Sequence, residues 1–532
     1  MTKTVSDFII EQLAVWDVKY VFGLPGTSAL GLVEAIRKSN QLQFIQVRHE
    51  ETAALAASAY SKLTGEIGVC LSIAGPGATN LITGLFDAKM DKTPVIALTG
   101  QVKRTFIGPG TFQEIDQEAL FNPVAVFNKT ICTREQSKEL TSLAIKYACT
   151  CQGVAHLAVP NDVQKEEWTE QPVSKENFIP LTRILPDKEV ILEAQRLLNQ
   201  AQAPVIIAGF GAKEAQKEVL ALSEKMDAPV ATTFRAKGLI SEFHPYSLGA
   251  LGKTGSPVAR KIVQRADLLM VIGSSFSEQT SVPLDKDIVQ IDLNPIHLSK
   301  TTPVKLPLWG DSKTTLRAIL DGLPAKKNAS FIESMAKEKQ SWLEKIKQEA
   351  DAREIPIRPQ YLVKTLEEII PEEAIITIDV GDNGFWMGRN FRSKGQTLLM
   401  SGYLGTMGFG LPAALAASLA YKDKKVFCLT GDGGFTQVMG DFLTLVRYNL
   451  PVVVVVFDNR ELAMITVEQK SEGYPVFATE LQPLDFVGFA HSAGGIGLQV
   501  NTPEELQPAL KEAVHSNKPV IVDVLLEPRR IF

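Results

Sequence analysis

Residues 429–462 read LTGDGGFTQVMGDFLTLVRYNLPVVVVVFDNREL, and the order of patterns in this stretch decides the fold. Leu429-Thr430 closes a short apolar run from Val426, which has the length and content of a buried strand. Gly431-Asp432-Gly433-Gly434 is a turn, a helical pattern follows from about Thr436, and a second apolar run, Pro451–Phe457, ends in Asp458-Asn459. Strand, helix and strand within about thirty residues form a βαβ unit with parallel strands. Both strand ends then reach the same edge of the sheet. Asp432 and Asn459 are expected there together, at the edge where open α/β folds bind ligands.

The same alternation runs along the chain. Apolar strand-length runs recur at Gly68–Ile73, Pro94–Leu98, Pro204–Ala208, Leu268–Ile272, Ile288–Leu293 and Ala374–Asp379, with helical patterns between them. Continuous apolar strands belong to sheets covered on both faces. At 532 residues the chain exceeds one ordinary core. Two polar stretches divide it: 166–186, Pro-containing and aperiodic, and 324–359, rich in Lys and Glu with a solvated helix expected at Phe331–Glu349. The expected fold is α/β, with three consecutive domains of mainly parallel sheet at 1–165, 186–324 and 358–532. No short-period repeat points to a solenoid.

Composition narrows the function classes. Hydrophobic residues at 45% and charged residues at 22% are the balance of a soluble globular protein. A net charge of −5 without a long Lys/Arg cluster argues against a nucleic-acid surface. Five scattered cysteines (Cys70, Cys132, Cys149, Cys151, Cys428) fit free thiols in a reducing cytoplasm, with neither a disulfide framework nor a zinc site. The opening MTKTVSDFIIEQLAVWDV is an amphipathic helix containing acids, not a signal peptide. No stretch approaches the roughly 20 apolar residues of a membrane span.

The glycine turn at 431–434 lets backbone approach phosphate oxygens, and the helix start adds N–H groups. Asp432 would repel a diphosphate, so a divalent cation must lie between them. Mg²⁺ wants six oxygens, and Asp432, the Asn459 side chain and a nearby main-chain carbonyl offer three. Gly-Asp-Gly alone is an ordinary turn, and Asp-Asn after a strand an ordinary loop start. Separated by 26 residues that form one helix and one strand, the two become specific. A second stretch, VRHEETAALAASAYSKLTG at 47–65, places Glu50 before an Ala-rich helix over Glu51–Leu63. Small residues at 53, 54, 56, 57 and 59 let another surface approach closely. A Glu at a helix start is ordinarily a dipole-stabilising surface group.

Taken together these stretches resemble the thiamine-diphosphate enzyme family, over essentially the whole chain, in the order pyrimidine-binding, middle and diphosphate-binding domain. The resemblance implies that Asp432 and Asn459 are Mg²⁺ ligands and the Glu461 main-chain carbonyl the third. Gly431, Gly433 and Gly434 then border the diphosphate. It implies that Glu50 hydrogen-bonds a ring nitrogen of the aminopyrimidine, favouring the imino tautomer that takes the thiazolium proton. That role needs a carboxyl in a low-dielectric site. Glu51 is the second choice. The loop Gly402–Leu411 (GYLGTMGFGL) resembles the family's aminopyrimidine-holding loop, with the Gly405 carbonyl as acceptor and Met407 bending the cofactor; simple core packing is the other reading of Met407. Gly75-Pro76-Gly77 forms a tight loop in register with the family, and Gly26, Gly75, Gly381, Asp382, Ala463 and Met464 are further expected cofactor contacts. Phe112-Gln113-Glu114 resembles the Phe-Gln-Glu of oxidases and acetolactate synthases, which puts Phe112 and Gln113 near the reacting substrate. Because the family's cofactor binds between the first domain of one subunit and the last of another, a homodimer or homotetramer is implied.

Which reaction follows depends on fewer residues. Decarboxylases of the pyruvate decarboxylase type use a His-His pair in the first domain, where this chain has Phe112-Gln113. Glu468, nine residues after Asn459, resembles the Glu of pyruvate oxidases, where biosynthetic acetolactate synthases carry Trp; a plain solvated helix residue is the alternative. Ala208–Gly211, Thr233–Gly238, Leu248–Gly255 and Asp292–Pro295 resemble FAD-binding elements, although the Gly-x-Gly at 209–211 is weak alone. The expected activity is decarboxylation of pyruvate or another small 2-oxo acid with oxidation of the enamine, Glu468 being catalytic. The alternative is carboligation to acetolactate, toward which the ending at Arg529-Arg530-Ile531-Phe532 leans, since oxidases usually extend further. A non-catalytic cofactor-binding paralogue is a third reading, opposed by intact Glu50, Asp432 and Asn459.

Overall fold

The computed structural model describes residues 3–176, 178–180, 183–351 and 353–528. The expected tail feature at Arg529–Phe532 lies outside them. Three six-stranded sheets follow one another along the chain. The first comprises Tyr20–Gly23, Gln43–Gln46, Gly68–Ser72, Val95–Gln101, Ala125–Thr130 and Val154–Pro160. The middle one has Pro204–Ala208, Val230–Thr233, Ser247–Leu251, Leu268–Ile272, Asp287–Asp292 and Leu306–Trp309. The last has Ile375–Ile378, Thr397–Leu399, Val426–Gly431, Val452–Asp458, Ile496–Val500 and Val520–Leu525. All pairings between these strands are parallel, which makes the chain three α/β domains as its alternating pattern implies. Counting strands within each domain, the first and last sheets share the order 2-1-3-4-6-5, while the middle sheet runs 6-5-4-1-2-3.

The strand Val452–Asp458 shows why its sequence is apolar without alternation. Val452, Val454 and Val456 enter one core and Val453, Val455 and Phe457 the core on the opposite face. Helices cover both sides, so neither face tolerates a polar residue. The Ala-rich helix spans Glu50–Thr64; His49 caps it, its Nδ1 accepting the Glu51 N–H at 3.2 Å, and Gly65 ends it at φ +75°. It is buried on nearly all sides, packed between its own sheet and the equally small-residue helix Gly410–Ala420 of the last domain. Small side chains allow that contact between domains. The helix Ala329–Asp351 is the solvated helix the Lys/Glu pattern implies, with only Met335 and Ala350 buried.

Two boundaries differ from expectation. The helix expected from Thr436 begins at Asp432 and runs to Val438, and a 3₁₀ turn at Met439–Asp441 separates it from Phe442–Arg447. Glycines at its start are poor helix formers, but Gly434 lies against Asp379, where a Cβ would stand 3.0 Å from the carboxylate. Tertiary fit overrides propensity there. The strand before Glu50 stops at Gln46, and Glu50 is the first residue of the helix rather than the residue before it. Arg48, in the turn between, donates its main-chain N–H to Asp441 of the last domain at 2.7 Å.

Candidate active site

The register of the last sheet sets the first part of the site. Gly431 pairs with Phe457, so Asp432 and Asp458 leave the sheet side by side, with Asn459 one step beyond. The Asn459 Oδ1 accepts the Glu461 N–H at 3.1 Å, which turns the chain and orients the amide. The Glu461 carboxylate is held by the Thr466 hydroxyl. Asp432 is only 7% exposed. Burial first, and the neighbouring Asp458 charge second, push its carboxyl up to about 7, although main-chain N–H groups of Gly433 and Arg460 oppose the shift. Burial likewise raises Asp458, whose carboxylate lies 3.6 Å from Arg460 Nε. A carboxyl this reluctant to ionise is one that a cation would stabilise.

A cavity of about 260 Å³ opens at this edge. Its lining collects Gly381, Asp382, Gly405, Met407, Gly431, Asp432, Gly433, Gly434, Asn459, Glu461, Ala463, Met464 and Glu468. All thirteen are among the residues singled out from sequence. Gly433 permits the close packing of its wall, since a Cβ there would stand 3.1 Å from Leu462 and Leu481 and 3.3 Å from Met407. Gly405 sits at φ +67°, a conformation that favours glycine.

Sequence reasoning missed Asn383 and Trp386, which line the same cavity. The Asn383 amide donates to the carbonyls of Asp379 at 2.9 Å and Leu429 at 3.0 Å, while its buried Oδ1 has no protein partner. An orphaned acceptor in a cavity wall fits a bound group or a metal-bound water. Trp386 Nε1 donates to Asp382 Oδ2 at 2.7 Å. Neither residue forms a recognisable motif; both emerge only when the helix Asp382–Asn390 is packed at the sheet edge. Among the described residues no group of three or more His, Cys, Asp or Glu could hold a metal. The set available here is of another kind: one carboxylate, one amide oxygen and a main-chain carbonyl, the hard oxygen donors that suit Mg²⁺ beside a diphosphate.

The N-terminal residues gather elsewhere. Glu50, 7% exposed, accepts from Asn80 Nδ2 at 3.0 Å, and Gly77 lies so close that a Cβ would be 3.1 Å from its Oε1. Gly75, at φ +63°, packs against Gln113, itself at φ +63°, and Gly26 packs against Ile73. Phe112 is 88% exposed. Glu50, Gly26, Gly75 and Gln113 thus meet around residues 73–77, but no residue of the first domain lines the 260 Å³ cavity.

A second cavity of about 220 Å³ lies between the middle and last domains. Gly209, Phe210, Thr233, Phe234, Arg235, Leu251 and Thr254 line it, so three of the four flavin-like elements converge there. The fourth does not: Asp292 Oδ2 faces His297 Nδ1 at 3.3 Å and its Oδ1 accepts the Asn294 N–H at 2.8 Å. The two cavities adjoin, sharing Val380, Gly381, Gly405 and Met464 in their walls.

Comparison with known proteins agrees with this architecture. Residues 3–120 match the thiamine pyrophosphate enzyme N-terminal TPP-binding domain, 191–319 the central domain, and 379–524 the C-terminal TPP-binding domain. The chain is 40% identical to the putative thiamine pyrophosphate-containing protein YdaP of Bacillus subtilis, covering 98% of this chain and 92% of that protein. It is 36% identical to a probable acetolactate synthase large subunit of Methanocaldococcus jannaschii, over 98% and 92% of the two chains. A pyruvate oxidase of Lactiplantibacillus plantarum is 31% identical over 97% of this chain and 88% of its own. The chain belongs to the thiamine pyrophosphate enzyme family and is a thiamine diphosphate-dependent enzyme of the kind that includes pyruvate oxidases and acetolactate synthases.

Proposed function

We propose that the enzyme decarboxylates a small 2-oxo acid, pyruvate being the simplest, with Mg²⁺ on Asp432, Asn459 and the Glu461 carbonyl holding the diphosphate. The observation that carries this reading is the single cavity into which residues from Gly381 to Glu468 converge beside an orphaned acceptor. When bound, thiamine diphosphate supplies a nucleophilic thiazolium carbon and an electron sink. The remaining work falls to this chain. Gly431, Gly433 and Gly434 admit the diphosphate, Ala463 and Met464 wall it in, and Gly381 and Asp382 border it. The Gly405 carbonyl accepts from the aminopyrimidine amino group, Met407 sets its tilt, and Glu50 holds a proton at the ring nitrogen. Phe112 and Gln113 border the substrate, and Gly26 and Gly75 shape the wall that presents Glu50.

In the oxidative reading FAD, held by Gly209, Phe210, Thr233 and Thr254 in the adjoining cavity, would take the two electrons that remain after CO₂ departs and pass them to oxygen or a quinone, while water or phosphate would take up the acyl group to give acetate or acetyl phosphate. The shared wall of the two cavities and Glu468 in the lining support it. The second reading, addition to another 2-oxo acid to give acetolactate, is favoured by the similarity to the Methanocaldococcus jannaschii protein. A visible spectrum before and after anaerobic pyruvate distinguishes them. Yellow that bleaches, with acetate or acetyl phosphate formed, supports oxidation; yellow that persists while acetolactate accumulates supports carboligation. A colourless, active protein removes the flavin.

The active form in this reading is a homodimer or homotetramer, the Glu50 patch of one copy closing the 260 Å³ cavity of another. The exposed Phe112 beside that patch is suited to such a contact. The domain limits 1–165, 186–324 and 358–532 each enclose one sheet. Five free cysteines suit a reducing cytoplasm, and among the described residues no helix is long and apolar enough to cross a membrane.

A further inference from the structure

Asp91 lines neither cavity, yet the three domains meet at its carboxylate. It caps the C-terminal end of the helix Ile82–Met90 in the first domain, and its side chain is fully buried. Lys62 Nζ lies 2.6 Å from one oxygen, and Arg235 Nη1 of the middle domain 3.2 Å from the other. The same oxygens accept main-chain N–H groups from the last domain, Gly402 at 3.0 Å and Tyr403 at 3.1 Å. Two cations and two amides occupy the four lone-pair sites of a carboxylate. Burial alone would push this acid up, but the charges of Lys62 and Arg235, with hydrogen bonds from Lys62 and Gly402, hold it below its ordinary value. It stays ionised.

The surrounding contacts leave the cluster little freedom. Arg235 Nη2 donates to the Asp91 carbonyl at 2.9 Å, and its guanidinium stacks on Phe210 at 4.1 Å. Lys62 also reaches Asp87 at 2.6 Å and stands over the Phe409 ring at 4.5 Å. Gly402 fits only because it lacks a side chain, since a Cβ would stand 2.6 Å from Arg235 Cδ and 3.0 Å from Asp91 Oδ1. Beyond it the chain passes through Gly405, which walls both cavities, to Met407. The Tyr403 hydroxyl is tied to Ser275 of the middle domain at 2.5 Å.

We propose that Asp91 is a positioning residue for the thiamine diphosphate half-site: gripping Gly402 and Tyr403, it fixes the loop that delivers the Gly405 carbonyl and the Met407 side chain. The inference rests on the reading of that loop given under the proposed function. A cluster that merely cements three domains would cost stability when broken and leave cofactor affinity alone. Asp91 grips the loop directly through two amides, so affinity must fall as well.

Titration of the full-length protein with Mg²⁺–thiamine diphosphate, followed by quenching of tryptophan fluorescence, separates the two, because Trp386 stands in the cavity wall. Asp91→Asn is expected to weaken binding about tenfold or more, a factor corresponding to about 1.4 kcal/mol. Gly402→Ala, which disturbs the same grip and lines only the other cavity, is expected to do likewise. Asp227→Ala breaks a different buried cluster, with Tyr246, Lys327 and the Asn328 main-chain N–H, outside both cavities, and is expected to lower the unfolding temperature while affinity stays within about twofold. Affinity within twofold of wild type in a folded Asp91→Asn protein overturns the proposal. If that variant does not fold, the same result for Gly402→Ala overturns it. A wild-type protein that does not bind Mg²⁺–thiamine diphosphate overturns the functional reading itself, and the inference with it.

Discussion

Glu50 bears the most demanding chemistry assigned to the first domain. One of its oxygens is occupied by Asn80, and the other faces the space that Gly77 leaves open. Replacing it by Gln keeps the shape and removes the acid. Glu50→Gln is expected to slow exchange of the thiazolium proton of bound cofactor by at least about a hundredfold, the scale of a lost acid–base partner; exchange followed by NMR checks it, and near-normal exchange would mean the acid lies elsewhere. Asp432 gives a pH signature. An unfolded Asp loses its proton near 3.8 and folded Asp432 near 7, so the folded state binds the proton more tightly across that window. Its contribution to stability is present at low pH and drains away as pH rises toward 7. Denaturant titrations of metal-free protein should show this component declining between pH 4 and 7, and Asp432→Asn should abolish it. Mg²⁺ should conversely bind more weakly as pH falls below 7, since it competes with that proton. At this scale the motif residues between Gly381 and Glu468 do gather in the wall of one cavity. The sequence was silent on Asn383, whose importance lies in an unpaired atom that only packing reveals.

Among elements, the long apolar buried strands were legible, while interior strands such as Tyr20–Gly23 and Val154–Pro160 and the sheet edges were not. Val452–Asp458 and Leu268–Ile272 are apolar throughout because helices cover both faces. Edge strands such as Thr397–Leu399 and Ala125–Thr130 are short or half-exposed, and their mixed polarity reads as loop. The start of the helix at Asp432 was misread for a related reason: glycines argue against a helix locally, and only contact with Asp379 explains one there. The Ala-rich helix Glu50–Thr64 was readable because its small residues anticipate close neighbours. Gly84 of the helix Ile82–Met90 is one of them, and a Cβ there would stand 2.5 Å from Ala54 Cβ and 2.6 Å from the Leu55 backbone nitrogen. Gly84→Ala should therefore destabilise the protein by about 1–3 kcal/mol through overpacking, despite the better helix propensity of Ala. Urea unfolding decides this; unchanged or increased stability would show that the interface has slack.

For the whole molecule, the informative fact is a separation. Glu50 with its neighbours and the 260 Å³ cavity belong to one chain, yet the cavity wall contains no residue of the first domain. The first and last domains share a strand order that is invisible as a sequence repeat, and in the proposed function a second copy supplies the missing wall. Co-expressing Glu50→Gln and Asp432→Ala chains tests this. If sites form between copies, half of randomly paired dimers are mixed and each has one intact site, so about a quarter of wild-type activity should return. Sites built within one chain would give no recovery.

The cation clamp proposed at the edge of the last sheet underlies all of this. Equilibrium dialysis of metal-free protein against thiamine diphosphate, with Mg²⁺ or with excess chelator, measures it directly. Wild type should retain the cofactor only with Mg²⁺, and Asp432→Ala and Asn459→Ala should each lose at least about tenfold in affinity, the 1.4 kcal/mol or more expected for a lost ligand. Tight retention by either variant in excess chelator would contradict the clamp.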